Sequence, residues 1–66
     1  MRVIPHCPEN ERDFIEVRDG LASHFFTVLS PNVVRFTAFG GEKPLGEPHL
    51  PTDIKSLFTK HGIAVV

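Results

Sequence analysis

The 66-residue sequence has no tryptophan and no tyrosine, and only one methionine and one cysteine. A lone cysteine, Cys7, can form no internal disulfide. That removes the staple on which many small secreted domains depend and points to a reducing compartment. No apolar run approaches the roughly 20 residues a membrane helix requires. Met1–His6 also lacks the apolar stretch of a signal peptide. A cytoplasmic location without a membrane partner is therefore expected. Charge of one sign is missing too: seven Lys and Arg stand against eight Asp and Glu, for a formal charge of −1. A nucleic-acid module held by a strong general field is disfavoured by that balance, while a local basic patch is left open.

What is present is a hydrophobic fraction of 41% with six phenylalanines, enough to drive collapse. The length allows one domain, residues 1–66, with a stability of only a few kcal/mol. Phe14–Arg18 has strand composition, although Pro8 and the acids after it would also suit the first turn of a helix over residues 8–18. Asp19-Gly20 is a hairpin signal. Leu21–Leu29 reads as a second strand, Ser30-Pro31-Asn32 as a turn, and Val33–Phe39 as a third strand stopped by Gly40-Gly41.

The register follows from the turns. A two-residue turn at Asp19-Gly20 sets Val17 opposite Ala22, Ile15 opposite His24 and Phe14 opposite Phe25. A three-residue loop over 30–32 sets Phe26 opposite Phe36 and Val28 opposite Val34. One face then carries Ile15, Val17, Ala22, His24, Phe26, Val28, Val34, Phe36 and Ala38, a set that a one-residue slip would scatter. The other face holds Glu16, Arg18, Ser23, Thr27, Arg35 and Thr37, ordinary for solvent. It also holds Phe14, Leu21, Phe25, Leu29, Val33 and Phe39.

Gly40–Pro51, with three glycines and three prolines, is expected to be a loop. Thr52 reads as a helix N-cap, with Asp53 in the first turn. Ile54, Leu57, Phe58 and His61 share a helical face, and Gly62 suits the position just past the helix end. Ile63–Val66 suits a short final strand. The expected fold class is α+β: a small antiparallel three- to four-stranded sheet, a β-meander, with one short C-terminal helix packed on one face and a short terminal strand. The alternatives are an αββαβ order and a sheet augmented by residues 2–4.

Chemistry-bearing constellations are sparse. The histidines are scattered, and His6-Cys7 are adjacent, so their side chains point apart in an extended segment. No metal site and no cofactor are expected. Cys7 reads as a plain thiol. His49, beside Glu47, reads as a solvated loop residue, and His61 is explained by the helix dipole. His24 falls on the apolar face and is read as a half-buried neutral imidazole. Its functional alternative is a general base. No phosphate loop follows Gly40-Gly41.

Gly20, Ser23-His24-Phe25-Phe26, Pro48-His49, Ile54–Phe58 and Gly62-Ile63 faintly resemble HicA-type toxins. These are small ribonucleases with a fold like that of double-stranded-RNA-binding domains and a Gly-Ser-His motif. The resemblance implies His24 as the catalytic residue. The chain departs from the motif, because Leu21 and Ala22 separate the glycine from Ser23-His24, and membership is not assigned. The leading expectation is a non-enzymatic protein-binding module. It would be an inhibitor or adaptor of the kind phages and mobile elements encode, docking through Phe14, Phe25, Leu29, Val33 and Phe39, or self-associating as a homodimer through that face. The alternative is a small RNA-binding or RNase-type domain that uses His24.

Overall fold

The computed structural model describes residues 1–41 and 50–66. The chain runs β1 (Arg2–His6), β2 (Phe14–Asp19), β3 (Ala22–Ser30), β4 (Val33–Gly41), α1 (Thr52–Lys60) and β5 (Ala64–Val65). Among the described residues one five-stranded sheet results, in the order β1-β2-β3-β4-β5, with only β4 and β5 parallel. The fold class is the expected α+β. Residues 8–18 are not helical: Phe14–Asp19 is a strand. The sheet is also wider than the meander, because Arg2–His6 adds an edge strand. Pro5 gives β1 no full set of donors, which an edge position tolerates.

Two turns differ from the expected ones, with opposite consequences. The first hairpin loop is Gly20-Leu21, since Asp19 pairs with Ala22. Gly20 has a φ of 61°, and among the described residues no non-glycine residue has a positive φ. A positive φ at the first loop residue alone is the type II′ arrangement, which matches the twist of the strands. A loop over Asp19-Gly20 would have put Asp19 itself at a positive φ. The pairing therefore moves to Val17 with His24, Ile15 with Phe26 and Phe14 with Thr27. The shift is by two residues, so every side chain keeps its face.

The second loop is Pro31-Asn32, with Ser30 paired to Val33. Leu29 is an extra, bulged residue, and it restores Val28 opposite Val34 and Phe26 opposite Phe36, the pairs a three-residue loop was expected to give. A second bulge lies between these pairs and Phe25–Ala38, leaving Thr37 as the extra residue. Its hydroxyl donates to the Phe25 carbonyl oxygen at 3.2 Å, recovering part of the bonding an interrupted ladder loses. Past this bulge the faces of β4 exchange. Ala38 leaves the helix side, and Phe39, expected on the opposite face, takes its place beside His24.

At the start of α1 the N-cap is Pro51 rather than Thr52. Pro51 has an extended backbone, and its carbonyl oxygen accepts from the Ile54 and Lys55 amides. Pro51 bonds through no side chain, so the Thr52 hydroxyl is not the cap. The C-terminus closes as expected. The Gly62 amide donates to Thr59 and the Ile63 amide to Phe58, the paired bonds of a Schellman ending. This turn aims the chain back to the sheet, where the Ala64 and Val66 amides bond to Asn32 and Val34 of the β4 region.

The core lies between α1 and one sheet face. Val17, Phe26, Val34, Ile54 and Phe58 are buried, flanked by Ile15, Val28, Phe36, Leu50, Ile63 and Val65. The Phe26 and Phe58 rings meet at 4.7 Å between centroids. Of the loop expected over 40–51, Gly40-Gly41 ends β4 and Leu50 packs on the core. Residues 42–49, with His49 and Glu47, lie outside the described residues. Among the described residues no helix is long and apolar enough to cross a membrane.

Candidate functional site

Strand alternation and register arrange the face opposite α1 as three rows across β1 to β4. The first is Arg2, Arg18, Ser23 and Gly40, the second Ile4, Glu16, Phe25 and Ala38, and the third His6, Phe14, Thr27 and Arg35. Glu16 sits near the middle and is only 6% exposed, although no helix of the described residues covers it. Its neighbours enclose it. One carboxylate oxygen, Oε2, accepts from Arg18 Nε (3.2 Å), Arg18 Nη2 (2.9 Å) and Ser23 Oγ (2.9 Å). The other, Oε1, lies 3.0 Å from His6 Nε2.

The Arg18 fork, then the Ser23 hydroxyl and His6, hold the Glu16 carboxyl down to about 2, outweighing the opposing cost of burial. An ionised carboxylate has only lone pairs to offer, so the His6 hydrogen sits on Nε2. The imidazole is fixed a second way, stacked on Phe14 at 4.5 Å and 9°. Phe14 in turn meets Phe25 at 6.2 Å between ring centroids, diagonally across the ladder rather than directly opposite. Phe25 leans over Gly40, where a Cβ would come within 3.1 Å of its ring. Both phenylalanines are half-buried.

Of the five residues expected to form an apolar stripe, the structure brings together two. Phe14 and Phe25 are in contact on the open face. Phe39 lies on the helix side, edge-on to His24 at 4.9 Å. Leu29 occupies the bulge and is 37% exposed, and Val33 pairs with Ala64 at the β5 edge. The expected stripe is thus broken by the two bulges, which the amino-acid pattern does not announce. In its place stands a mixed surface: two aromatic rings on a charged, hydrogen-bonded floor. Glu16, Arg18 and Ser23 had read as ordinary solvent residues. Their same-face spacing on adjacent strands was visible, but His6 entered only once β1 was known to be a strand.

His24 is 4% exposed, on the side facing α1 and between the Phe36 and Phe39 rings. Its buried Nδ1 has no hydrogen-bond partner among the described residues. An imidazole so enclosed offers nothing to a polynucleotide. His6 is the histidine that a carboxylate orients; the Ser23 hydroxyl donates to the same carboxylate, and Cys7 is exposed. No cluster of three or more His, Cys, Asp or Glu side chains with metal-binding geometry occurs among the described residues. The polar side chains of this surface hold one another in place around Glu16. The chain matches no known protein family, curated protein or solved structure.

Proposed function

We propose that the protein is a non-enzymatic protein-binding module that docks its partner on the open sheet face, with Phe14 and Phe25 as anchors. One observation carries the reading: two phenylalanines in mutual contact, half-buried, sit on a face that no element of the described chain covers. Aromatic anchors in a polar surround are the anatomy of a protein interface. The Glu16 network adds preorganisation, since Arg18, Ser23 and His6 hold their positions before any partner arrives. The small size suits an inhibitor or adaptor of the kind mobile elements encode, by analogy of class alone. The free thiol of Cys7 suits a reducing, cytoplasmic setting. Self-association through the same face is equally compatible.

The test is affinity capture from the native host with wild type, Phe25→Asp and Phe14→Ala, alongside light scattering over a concentration series. The expected result is loss of the captured partner, or of the dimer, in both variants while their far-UV circular dichroism and melting remain cooperative. Capture unaffected by both substitutions removes the reading.

A further inference from the structure

The open face differs from the rest of the molecule in charge. Among the described residues, three of the four arginines, Arg2, Arg18 and Arg35, stand on it against one carboxylate, Glu16. Elsewhere among the described residues the balance is reversed: Arg12, Lys55 and Lys60 against Glu9, Glu11, Asp13, Asp19 and Asp53. The near-neutral total hides this segregation.

The placement of the arginines is also unusual in isolation. Arg2 and Arg18 are directly opposite in the β1–β2 ladder, an arrangement of like charges that costs stability. Of these two arginines Glu16 pairs with Arg18, and Arg2 has no ion pair among the described residues. An anion held between the two guanidinium groups would remove the repulsion. Arg35 lies across the face, beyond Phe14 and Phe25, about 16 Å from Arg18 by strand spacing and rise. An extended segment of about five residues covers that span.

Resting on the protein-docking reading above, we infer that the partner presents an extended acidic segment. One carboxylate is taken by the Arg2–Arg18 pair, another by Arg35, and an apolar side chain between them is seated on Phe14 and Phe25. The guanidinium forks of Arg2 and Arg35 match a carboxylate with two parallel bonds, while Arg18, whose Nε and Nη2 donate to Glu16, adds only its remaining N–H groups. A single-stranded nucleic acid is the competing anion, and the count of cations decides against it. Affinity for a polyanion at ordinary salt rests on neutralising many phosphates, and its salt slope scales with that number. Three arginines with a carboxylate in their midst supply too few. A short acidic segment needs only these contacts and takes the rest of its affinity from the aromatic rings.

The experiment titrates the full isotope-labelled chain with short synthetic peptides in which glutamates flank a Phe-Leu core, followed by amide chemical-shift mapping. Two control peptides replace every glutamate by glutamine or by lysine, and an oligothymidylate is the fourth probe. The expected result is shifts confined to open-face residues of β1–β4, with about tenfold weaker binding of the glutamine peptide, the size expected for a few exposed ion pairs. Arg35→Glu and Arg2→Glu, both at exposed positions, should weaken the glutamate peptide; Arg35→Glu should leave melting unchanged, and Arg2→Glu should raise it slightly, because it removes the like-charge pair with Arg18. Equal binding of the glutamate and glutamine peptides, lost in Phe25→Ala, overturns the charge assignment but leaves the docking reading standing. Binding of the oligothymidylate alone overturns both. Absence of shifts with every probe overturns the acidic-segment inference, and the capture experiment then judges the docking reading separately.

Discussion

Among the described residues the two faces of this sheet each bury one ionisable side chain, and they treat it in opposite ways. On the helix side His24 is enclosed by Phe36 and Phe39, with a ring nitrogen left unpartnered among the described residues. On the open side Glu16 is equally hidden, yet three side chains converge on its two oxygens. The first burial is a matter of packing, because an imidazole is flat and small enough to lie among the Phe36 and Phe39 rings. The second is a construction: a carboxylate stays charged under cover only when donors replace water. Cover supplied by a helix therefore yields a core, while cover supplied by the polar neighbours themselves yields a stiff surface.

The largest effect should separate the faces by packing. Phe26 is fully buried against Phe58 and Phe36. Phe26→Ala should cost about 3–5 kcal/mol, as large-to-small changes of core aromatics do. That is most or all of what a chain of this size has, and the variant should lack a cooperative urea transition. Phe25→Ala, one residue along and on the other face, should cost about 1 kcal/mol, since the ring is half-exposed. Equal losses in the two variants would break the distinction between a core face and a docking face.

The next effect concerns Glu16 and has a definite sign. Its folded-state carboxyl is held down to about 2 from an ordinary 4.5. A depressed acid contributes stability that is fully present above the ordinary value and is lost as pH falls through the folded one. The urea midpoint should therefore decline between about pH 4.5 and 2 in a way that Glu16→Gln does not share. Glu16→Gln should also be less stable than wild type at pH 7, because Arg18 then faces a neutral amide. Parallel pH profiles for the two proteins would mean the network is not formed in solution.

These contrasts were legible in the sequence to different depths. The assignment of β2 and β3 side chains to faces was readable because alternation is robust to a slip of two: the hairpin turn moved from Asp19-Gly20 to Gly20-Leu21 without moving any residue across the sheet. The fate of Phe39 was not readable. A single extra residue at Thr37 reverses the faces beyond it, and nothing about threonine marks a bulge. The strand Arg2–His6 was obscured by Pro5, which argues against a strand unless the strand is known to be an edge. With β1 uncertain, His6 could not be placed beside Phe14, nor Glu16 seen as enclosed. The candidate site was thus hidden behind one short strand rather than behind any subtle chemistry.

The smallest effect tests the other half of the comparison. If the His24 ring is present only as a shape, replacing it by an apolar side chain of similar bulk should not harm the fold. A buried polar atom without a partner costs about 1–3 kcal/mol, whereas an apolar group in the same place incurs no such cost. Imperfect fit between leucine and the slot beside Phe36 and Phe39 will take back part of that gain. His24→Leu should therefore be neutral or stabilising by up to about 1 kcal/mol, a rise in melting temperature of no more than about 4–8 °C for a chain of this length. Its open-face amide shifts should be unaltered, since Glu16 and its partners lie across the sheet. Destabilisation well beyond 1 kcal/mol would mean that Nδ1 is bonded in solution, and the two buried groups would then be alike rather than opposed.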